Sequence, residues 1–124
     1  MITRAEHPTR NGAIWFGSTG AAMAESLTAL AKEGIHLDQM RIRGFPFADD
    51  VAEFIAAHEH VFVIEQNRDA QLKMMLVNEC GIDPQKLISI LHYDGNPITE
   101  RFVTREIAEK ARLFNVTPLR KAAG

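Results

Sequence analysis

The stretch VFVIEQNRDAQL, residues 61–72, decides the fold, because four consecutive apolar residues are followed directly by a mostly polar segment. Apolar residues at every position, rather than at every second one, predict a strand that is covered on both faces. Beyond it, Leu72, Met75 and Leu76 recur at helical spacing, and Gly81 is a plausible helix end. This stretch therefore predicts one strand of a parallel sheet and the helix that follows it.

The same order of strand and helix recurs on both sides of this stretch. Three further strands are predicted, at residues 13–16, 35–42 and 87–91. Three further helices are predicted from their apolar stripes, which are Met23, Leu27, Leu30 and Ala31, ending at Gly34; Val51, Phe54 and Ile55; and Val103, Ile107, Ala111 and Phe114. Four strands alternating with four helices predict an α/β fold, a three-layer α/β/α sandwich with a mostly parallel sheet. We expect residues 1–11 to be a disordered or linking segment, residues 12–116 a single domain, and residues 117–124 a frayed tail.

Composition restricts the classes of protein to which the chain can belong. A chain of 124 residues, 46% hydrophobic and 24% charged, has the size and balance of one globular domain. A formal charge of −2 with mixed signs makes nucleic acid an improbable partner, and no segment is long enough to cross a bilayer. Cys80 is the only cysteine, which excludes an intrachain disulfide and an iron–sulfur cluster held by this chain alone, and fits a reducing cytoplasm.

The turns after the strands are where a ligand would bind in such a sheet. After the first predicted strand, Ser18 and Thr19 lie in a GSTG turn whose amides can hold an anion, or which is simply a tight turn with a helix cap. After the second, Arg41 and Arg43 can grip a carboxylate, as in a dicarboxylate substrate, or pair with surface acids or a neighbouring subunit.

The third candidate follows residues 61–64 and is favoured as a structural or interface network, with Glu65, Asn67 and Gln71 as its first members. Asn67 or Asp69 is the simplest choice of N-cap for the next helix. The five histidines show no metal-ligand spacing, and we expect Cys80 to pack rather than to act as a nucleophile. No residue is proposed as catalytic, cofactor-binding or metal-binding.

Four segments together resemble the C-terminal domain of the α subunits of 2-oxoacid:ferredoxin oxidoreductases. WFGSTG (15–20) looks like that domain's W-G-S-T-x-G, and RIRGFPF (41–47) resembles LRxxxPFP without its second proline. IEQNRDAQL (64–72) resembles VEQNxxGQL, with Ala70 where glycine is common, and HYDGNPIT (92–99) is similar to YDGxPxT. The resemblance covers nearly the whole chain, from about residue 12 to about residue 114, and is nearest to the 2-oxoglutarate type.

The resemblance implies a transketolase C-terminal-like domain within an enzyme that oxidatively decarboxylates a 2-oxoacid to an acyl-CoA, with coenzyme A and ferredoxin as its other reactants. It implies thiamine diphosphate, magnesium and an iron–sulfur cluster for the complete enzyme, held elsewhere, and none of them in this chain. The partners would be the rest of the α subunit and a β subunit. The domain itself would be structural, as a fragment of a longer α subunit or the product of a split gene.

Two alternatives remain open from the sequence. One is the C-terminal domain of a pyruvate-dehydrogenase-type or transketolase-type thiamine enzyme, which shares the sandwich architecture. The other is a stand-alone anion-binding or regulatory α/β module that uses the turn at residues 17–20. The 2-oxoacid itself is not determined by the sequence.

Overall fold

The computed structural model describes residues 2–5, 7–16, 20–44 and 49–114. Within them, strands and helices alternate after a short first strand. The elements are β1 (Ile2–Thr3), β2 (Asn11–Phe16), α1 (Gly20–Lys32), β3 (Asp38–Ile42), α2 (Asp49–Ala56), β4 (His60–Glu65), α3 (Gln71–Cys80), β5 (Leu87–Leu91) and α4 (Glu100–Leu113). None of the described helices is a candidate membrane span.

The five strands form one sheet in the order β1-β3-β2-β4-β5. The four longer strands run parallel, and β1 pairs antiparallel with β3 at one edge. The central register is set at Ile14 of β2, which lies opposite Met40 of β3 and Val63 of β4. Each parallel connection therefore passes through a helix, as the alternating pattern predicts.

Two hydrophobic clusters, one on each face of the sheet, make the three layers. On one face, α1 and α4 cover alternate residues such as Trp15, Phe62 and Ile90. On the other face, α2 and α3 cover the residues between them, such as Ile14 and Val63. Because β2 and β4 are buried on both faces, their apolar runs are continuous, which confirms the predicted α/β/α sandwich.

The structure differs from the sequence-based expectation at five places. Ile2–Thr3 forms an edge strand within the segment expected to be disordered or linking, and the strand expected at residues 35–42 begins only at Asp38. Ala31, Met75 and Phe114, placed on the apolar stripes of their helices, are exposed. Phe114 lies just past the end of α4, where the helical spacing no longer determines which way a side chain points. The expected tail at residues 117–124 lies outside the described part of the chain.

A polar cluster is buried at the amino-terminal end of the parallel strands, where β3 begins. The Asp38 carboxyl group accepts a hydrogen bond from the Ala5 amide at 2.8 Å, and its other oxygen lies 2.8 Å from His58 Nε2 and 3.3 Å from an Arg4 nitrogen. His58 Nδ1 lies 2.6 Å from the Phe54 carbonyl oxygen, which can only accept, so Nδ1 donates. This cluster holds the amino-terminal segment and the end of α2 against the sheet.

Gly12 makes room for the aromatic ring that covers this cluster. A Cβ atom at Gly12 would lie 2.9 Å from two ring carbons of Phe54, a buried residue that stacks on His58 with ring centroids 4.4 Å apart. The ring is buried and also packs against His58, so it has little space into which to move.

We therefore expect Gly12→Ala to lower the free energy of unfolding by about 1–3 kcal/mol through overpacking. Gly44→Ala is the matched control, because nothing lies within 4 Å of a Cβ atom there. Chemical denaturation of both variants measures the difference. Equal stabilities of the two variants would show that the Phe54 ring is not confined.

Candidate functional site

The candidate residues that the structure describes lie at or near the carboxyl-terminal ends of the parallel strands. Phe16, Ile42, Glu65 and Leu91 are the last residues of β2, β3, β4 and β5. Since these strands run in the same direction, their carboxyl ends lie together at one end of the sheet, and this end is where open α/β sheets bind their ligands. The most developed polar network there is built on the end of β4.

Glu65 is the centre of this network. Its side chain is buried, with the residue 4% exposed, and its carboxylate accepts hydrogen bonds from the amides of Leu72 at 2.6 Å and Lys73 at 3.0 Å. Asn67 Nδ2 donates a third bond to it at 2.9 Å. A buried carboxylate requires such donors, and the first turn of a helix supplies them together with the positive end of the helix dipole.

Asn67 completes the set of acceptors for α3. Its Oδ1 atom accepts from the amides of Asp69 at 3.1 Å and Gln71 at 3.3 Å. The amides of residues 71, 72 and 73, which no helical carbonyl can reach, are therefore all satisfied by the side chains of Glu65 and Asn67. The sequence-based choice of Asn67 or Asp69 as N-cap is wrong, because Ala70 occupies that position and makes no side-chain bond. The side-chain acceptors come instead from residues three and five positions before Ala70.

Ala70 has an unusual backbone conformation for its residue type. Its φ of 51° and ψ of 44° are left-handed, and it is the non-glycine residue with positive φ among those described. Such a conformation brings Cβ too close to the following carbonyl oxygen, a cost that glycine avoids. This is the physical reason for glycine at the corresponding place of the VEQNxxGQL motif, from which this chain departs.

Of the predicted network, Gln71 contributes only its backbone amide within the described chain. Its side chain is exposed at the start of α3. The structure therefore joins Glu65 and Asn67 directly and leaves the Gln71 side chain on the surface. An interface role for these three residues stays a prediction.

His92 links the end of β5 to the same network. Its amide donates to the Glu65 carbonyl oxygen at 2.9 Å, its ring packs edge-on against Phe102 with centroids 4.8 Å apart, and its Nε2 lies 3.3 Å from an Asp94 oxygen. The Asn96 amide, 3.0 Å from that oxygen, holds the pKa of the Asp94 carboxyl below its ordinary value, and the charge of His92 acts in the same direction. The predicted turn at residues 94–97 is thus tied to the sheet.

The remaining candidates are less well defined. Ser18 and Thr19 lie outside the described residues. Directly before them, Nε1 of the buried Trp15 has no hydrogen-bond partner among the described atoms. Arg41 is half-buried within β3 and Arg43 is exposed just beyond its end, so a carboxylate-binding role for this pair also stays a prediction.

Cys80 lies at the end of α3, half-buried, and packs against the cluster between the sheet and α2 and α3. Burial raises the pKa of its thiol, and the charge of Glu79 adds to the effect, which keeps the thiol protonated and weakly nucleophilic. Over residues 2–5, 7–16, 20–44 and 49–114, no three histidine, cysteine, aspartate or glutamate side chains converge as metal ligands.

Sequence reasoning missed two of these features. Neither the pairing of Asp38 with His58 nor the bond from His92 to Glu65 has a local signal, because the partners lie 20 and 27 residues apart and meet only in the folded sheet. For Glu65 the available signal was an acid that follows a fully apolar strand directly. Such an acid must either reach solvent or be met by donors.

Two solved structures are similar to this fold. One is 2-oxoglutarate:ferredoxin oxidoreductase from Magnetococcus marinus with 2-oxoglutarate, coenzyme A and succinyl-CoA bound, at a TM-score of 0.75 and 26% identity over 89% of this chain and 19% of that chain. The other is the α chain of a probable 2-oxoacid ferredoxin oxidoreductase from Thermoplasma acidophilum, at a TM-score of 0.59 and 24% identity over 90% of this chain and 96% of that chain. No family model matches this chain, and neither does any curated protein.

These likenesses confirm the predicted fold class, an α/β sandwich of the transketolase C-terminal-like kind. They also support the relationship to 2-oxoacid:ferredoxin oxidoreductases that the motifs predict. The chain spans only 19% of the first of the two structures, so the activity of that whole enzyme does not pass to it directly.

The left-handed Ala70 leads to a first prediction for this site. Ala70→Gly should raise the free energy of unfolding by about 1 kcal/mol, because glycine adopts the observed φ without strain. Ala24→Gly is the matched control: it places the same substitution at an exposed position of α1, where it should lower stability by about 1 kcal/mol. Thermal and urea unfolding of both variants give the comparison. A loss of stability in Ala70→Gly would contradict the backbone assignment.

The second prediction concerns the buried carboxylate. Glu65→Gln should lower the free energy of unfolding by about 2–4 kcal/mol, since it removes the charge that the amides of α3 surround and places an amide group against other donors. Glu109→Gln, at an exposed position of α4, should change it by less than about 0.5 kcal/mol. Amide hydrogen exchange at Leu72 and Lys73 should accelerate in Glu65→Gln alone. Unchanged protection there would mean that other groups cap α3.

Proposed function

We propose that this chain is the C-terminal, transketolase-like domain of the α subunit of a 2-oxoacid:ferredoxin oxidoreductase, and that it serves subunit assembly rather than catalysis. The four motifs and the likeness at a TM-score of 0.75 over 89% of the chain support the family. The 2-oxoglutarate type is the form its motifs resemble most, and the oxidoreductase with the higher TM-score is described with 2-oxoglutarate bound. In the complete enzyme the reaction would be oxidative decarboxylation of the 2-oxoacid to an acyl-CoA.

The observation that carries the assembly role is the outer face of α3. Met74 and Met75 lie three and four residues after Gln71, so each is its neighbour on that face. Met74 is 57% exposed and Met75 37% exposed, although methionine side chains are apolar. Two adjacent exposed methionines beside a glutamine whose side chain is also exposed are typical of a surface that packs against another protein.

The network beneath this face gives it a defined position. Glu65 and Asn67 hold the first turn of α3 to the end of β4, so Gln71 and Met74 are presented from a fixed helix rather than from a loop. In this proposal the network positions the interface, and the exposed side chains contact the rest of the α subunit or the β subunit. Coenzyme A and ferredoxin would be partners of the complete enzyme.

The family implies thiamine diphosphate, magnesium and an iron–sulfur cluster for the complete enzyme. The described residues offer no convergent set of metal ligands, and the single cysteine cannot hold an iron–sulfur cluster by itself. We propose that all three groups are held by other parts of the enzyme and that this chain carries out no step of the reaction.

Two single substitutions, compared with each other, distinguish residues that contact another subunit from residues that only stabilise this chain. Asn67→Ala should destabilise the chain itself by about 1–2 kcal/mol, because it leaves the amide of Gln71 without its acceptor. Gln71→Ala should leave the stability of the chain nearly unchanged, yet weaken the complex with the remaining subunits about tenfold. Asn78→Ala, exposed later on the same helix, is the control for both.

The measurement uses the complete enzyme, whose other parts would be encoded beside this chain's gene: an upstream α-subunit domain and an adjacent β subunit with cysteines. Sedimentation reports the dissociation of the subunits, and calorimetry reports thiamine diphosphate affinity. Intact assembly with selectively lost cofactor affinity in Asn67→Ala would overturn the structural role. A solitary gene with neither neighbour would count against the family assignment itself.

A further inference from the structure

An open groove lies far from the network at Glu65, between α1 and the β1 edge of the sheet. It encloses about 540 Å³, within the range of small-molecule sites. The helix side is apolar, with Leu27 and Ala31, and the sheet side is polar, with Thr3 and Gln39 paired across β1 and β3. We call it the α1–β1 groove.

The charge of the groove is one-sided. Its cationic lining residues are Arg4 and Lys32, its imidazoles are His7 and His36, and none of its lining residues within the described chain is acidic. This contrasts with the whole chain, in which 16 acidic residues outnumber 14 lysines and arginines. A concave surface that is lined by cations and by no anions raises the local concentration of anionic ligands.

Two of the basic groups keep hydrogen-bonding capacity for a ligand. Arg4 pairs with the buried Asp38 at 3.3 Å, but its side chain is 67% exposed and one contact engages only one of its five N–H donors. Lys32 is exposed at the end of α1, and its ammonium presents three donors. His7 and His36 pack edge to face with centroids 4.7 Å apart, which gives a planar ligand an aromatic surface beside these cations.

We propose that the α1–β1 groove binds a small organic phosphate, with the phosphate at Arg4 and Lys32 and the organic body against Leu27 and the imidazoles. Phosphate is favoured over a single carboxylate because it accepts several charge-assisted bonds from separate cations at once. The site is independent of the proposed assembly role, since it lies on the other side of the sheet from α3 and near the opposite end of the strands.

Titration of the isotope-labelled chain with adenosine monophosphate, followed by amide chemical shifts, tests the proposal. Saturable shifts should appear at residues 3–5, 32 and 36–39, with a dissociation constant below about 1 mM. Inorganic phosphate should bind more weakly at the same amides, because it lacks the organic body, and adenosine should not bind, because it lacks the anion.

The double substitution Lys32→Gln and His36→Gln should weaken binding of adenosine monophosphate about tenfold or more. Arg101→Gln, an exposed cation at the start of α4, should leave it within about twofold. No saturable shift up to about 10 mM, shifts centred on the start of α1 instead, or unchanged affinity in the double variant would each overturn the proposal. The mapping on the unsubstituted chain decides the matter even if the double variant does not fold.

Discussion

A carboxylate buried at the end of the inner strand β4 is the constraint on which the candidate site depends. Glu65 follows four residues that are covered on both faces, so its side chain is directed into the protein rather than toward water. Its hydrogen-bond donors are the first amides of α3 and the side chain of Asn67. The position of α3 and the conformation of the loop before it both follow from satisfying this one acid.

Each end of the parallel strands has one buried carboxylate, and the two have different partners. At the carboxyl end, the Glu65 carboxylate is surrounded by the N-terminus of a helix. At the amino end, the Asp38 carboxylate is surrounded by His58, Arg4 and a backbone amide. Both arrangements supply hydrogen-bond donors to a buried carboxylate and join separate elements of the fold. Neither leaves the acid available to a substrate, which agrees with the architectural role proposed for this domain.

The site could be predicted in part because the stretch VFVIEQNRDAQL places polar residues directly after a strand that is apolar at every position, and buried polar groups need hydrogen-bond partners. The sequence identified Glu65 and Asn67 as members of a polar network after β4, and they are. It did not identify how they act, because the capping of α3 depends on the left-handed turn at Ala70, a conformation that alanine rarely adopts. For Gln71 the sequence indicated a place in the network, whereas the fold turns its side chain to the surface.

The sequence by itself determined the order of strands and helices, the parallel class of the sheet and the burial of its centre, since each depends on hydrophobic periodicity that is local to the chain. Only the tertiary structure decided the edge strand β1, the pairing of Asp38 with His58 and the groove beside α1. A two-residue strand is too short to show an alternating apolar pattern in the sequence. A hydrogen-bonded pair or a groove is formed by residues from separate stretches of the chain, which local periodicity cannot connect. These features exist only because the folded sheet brings those stretches together.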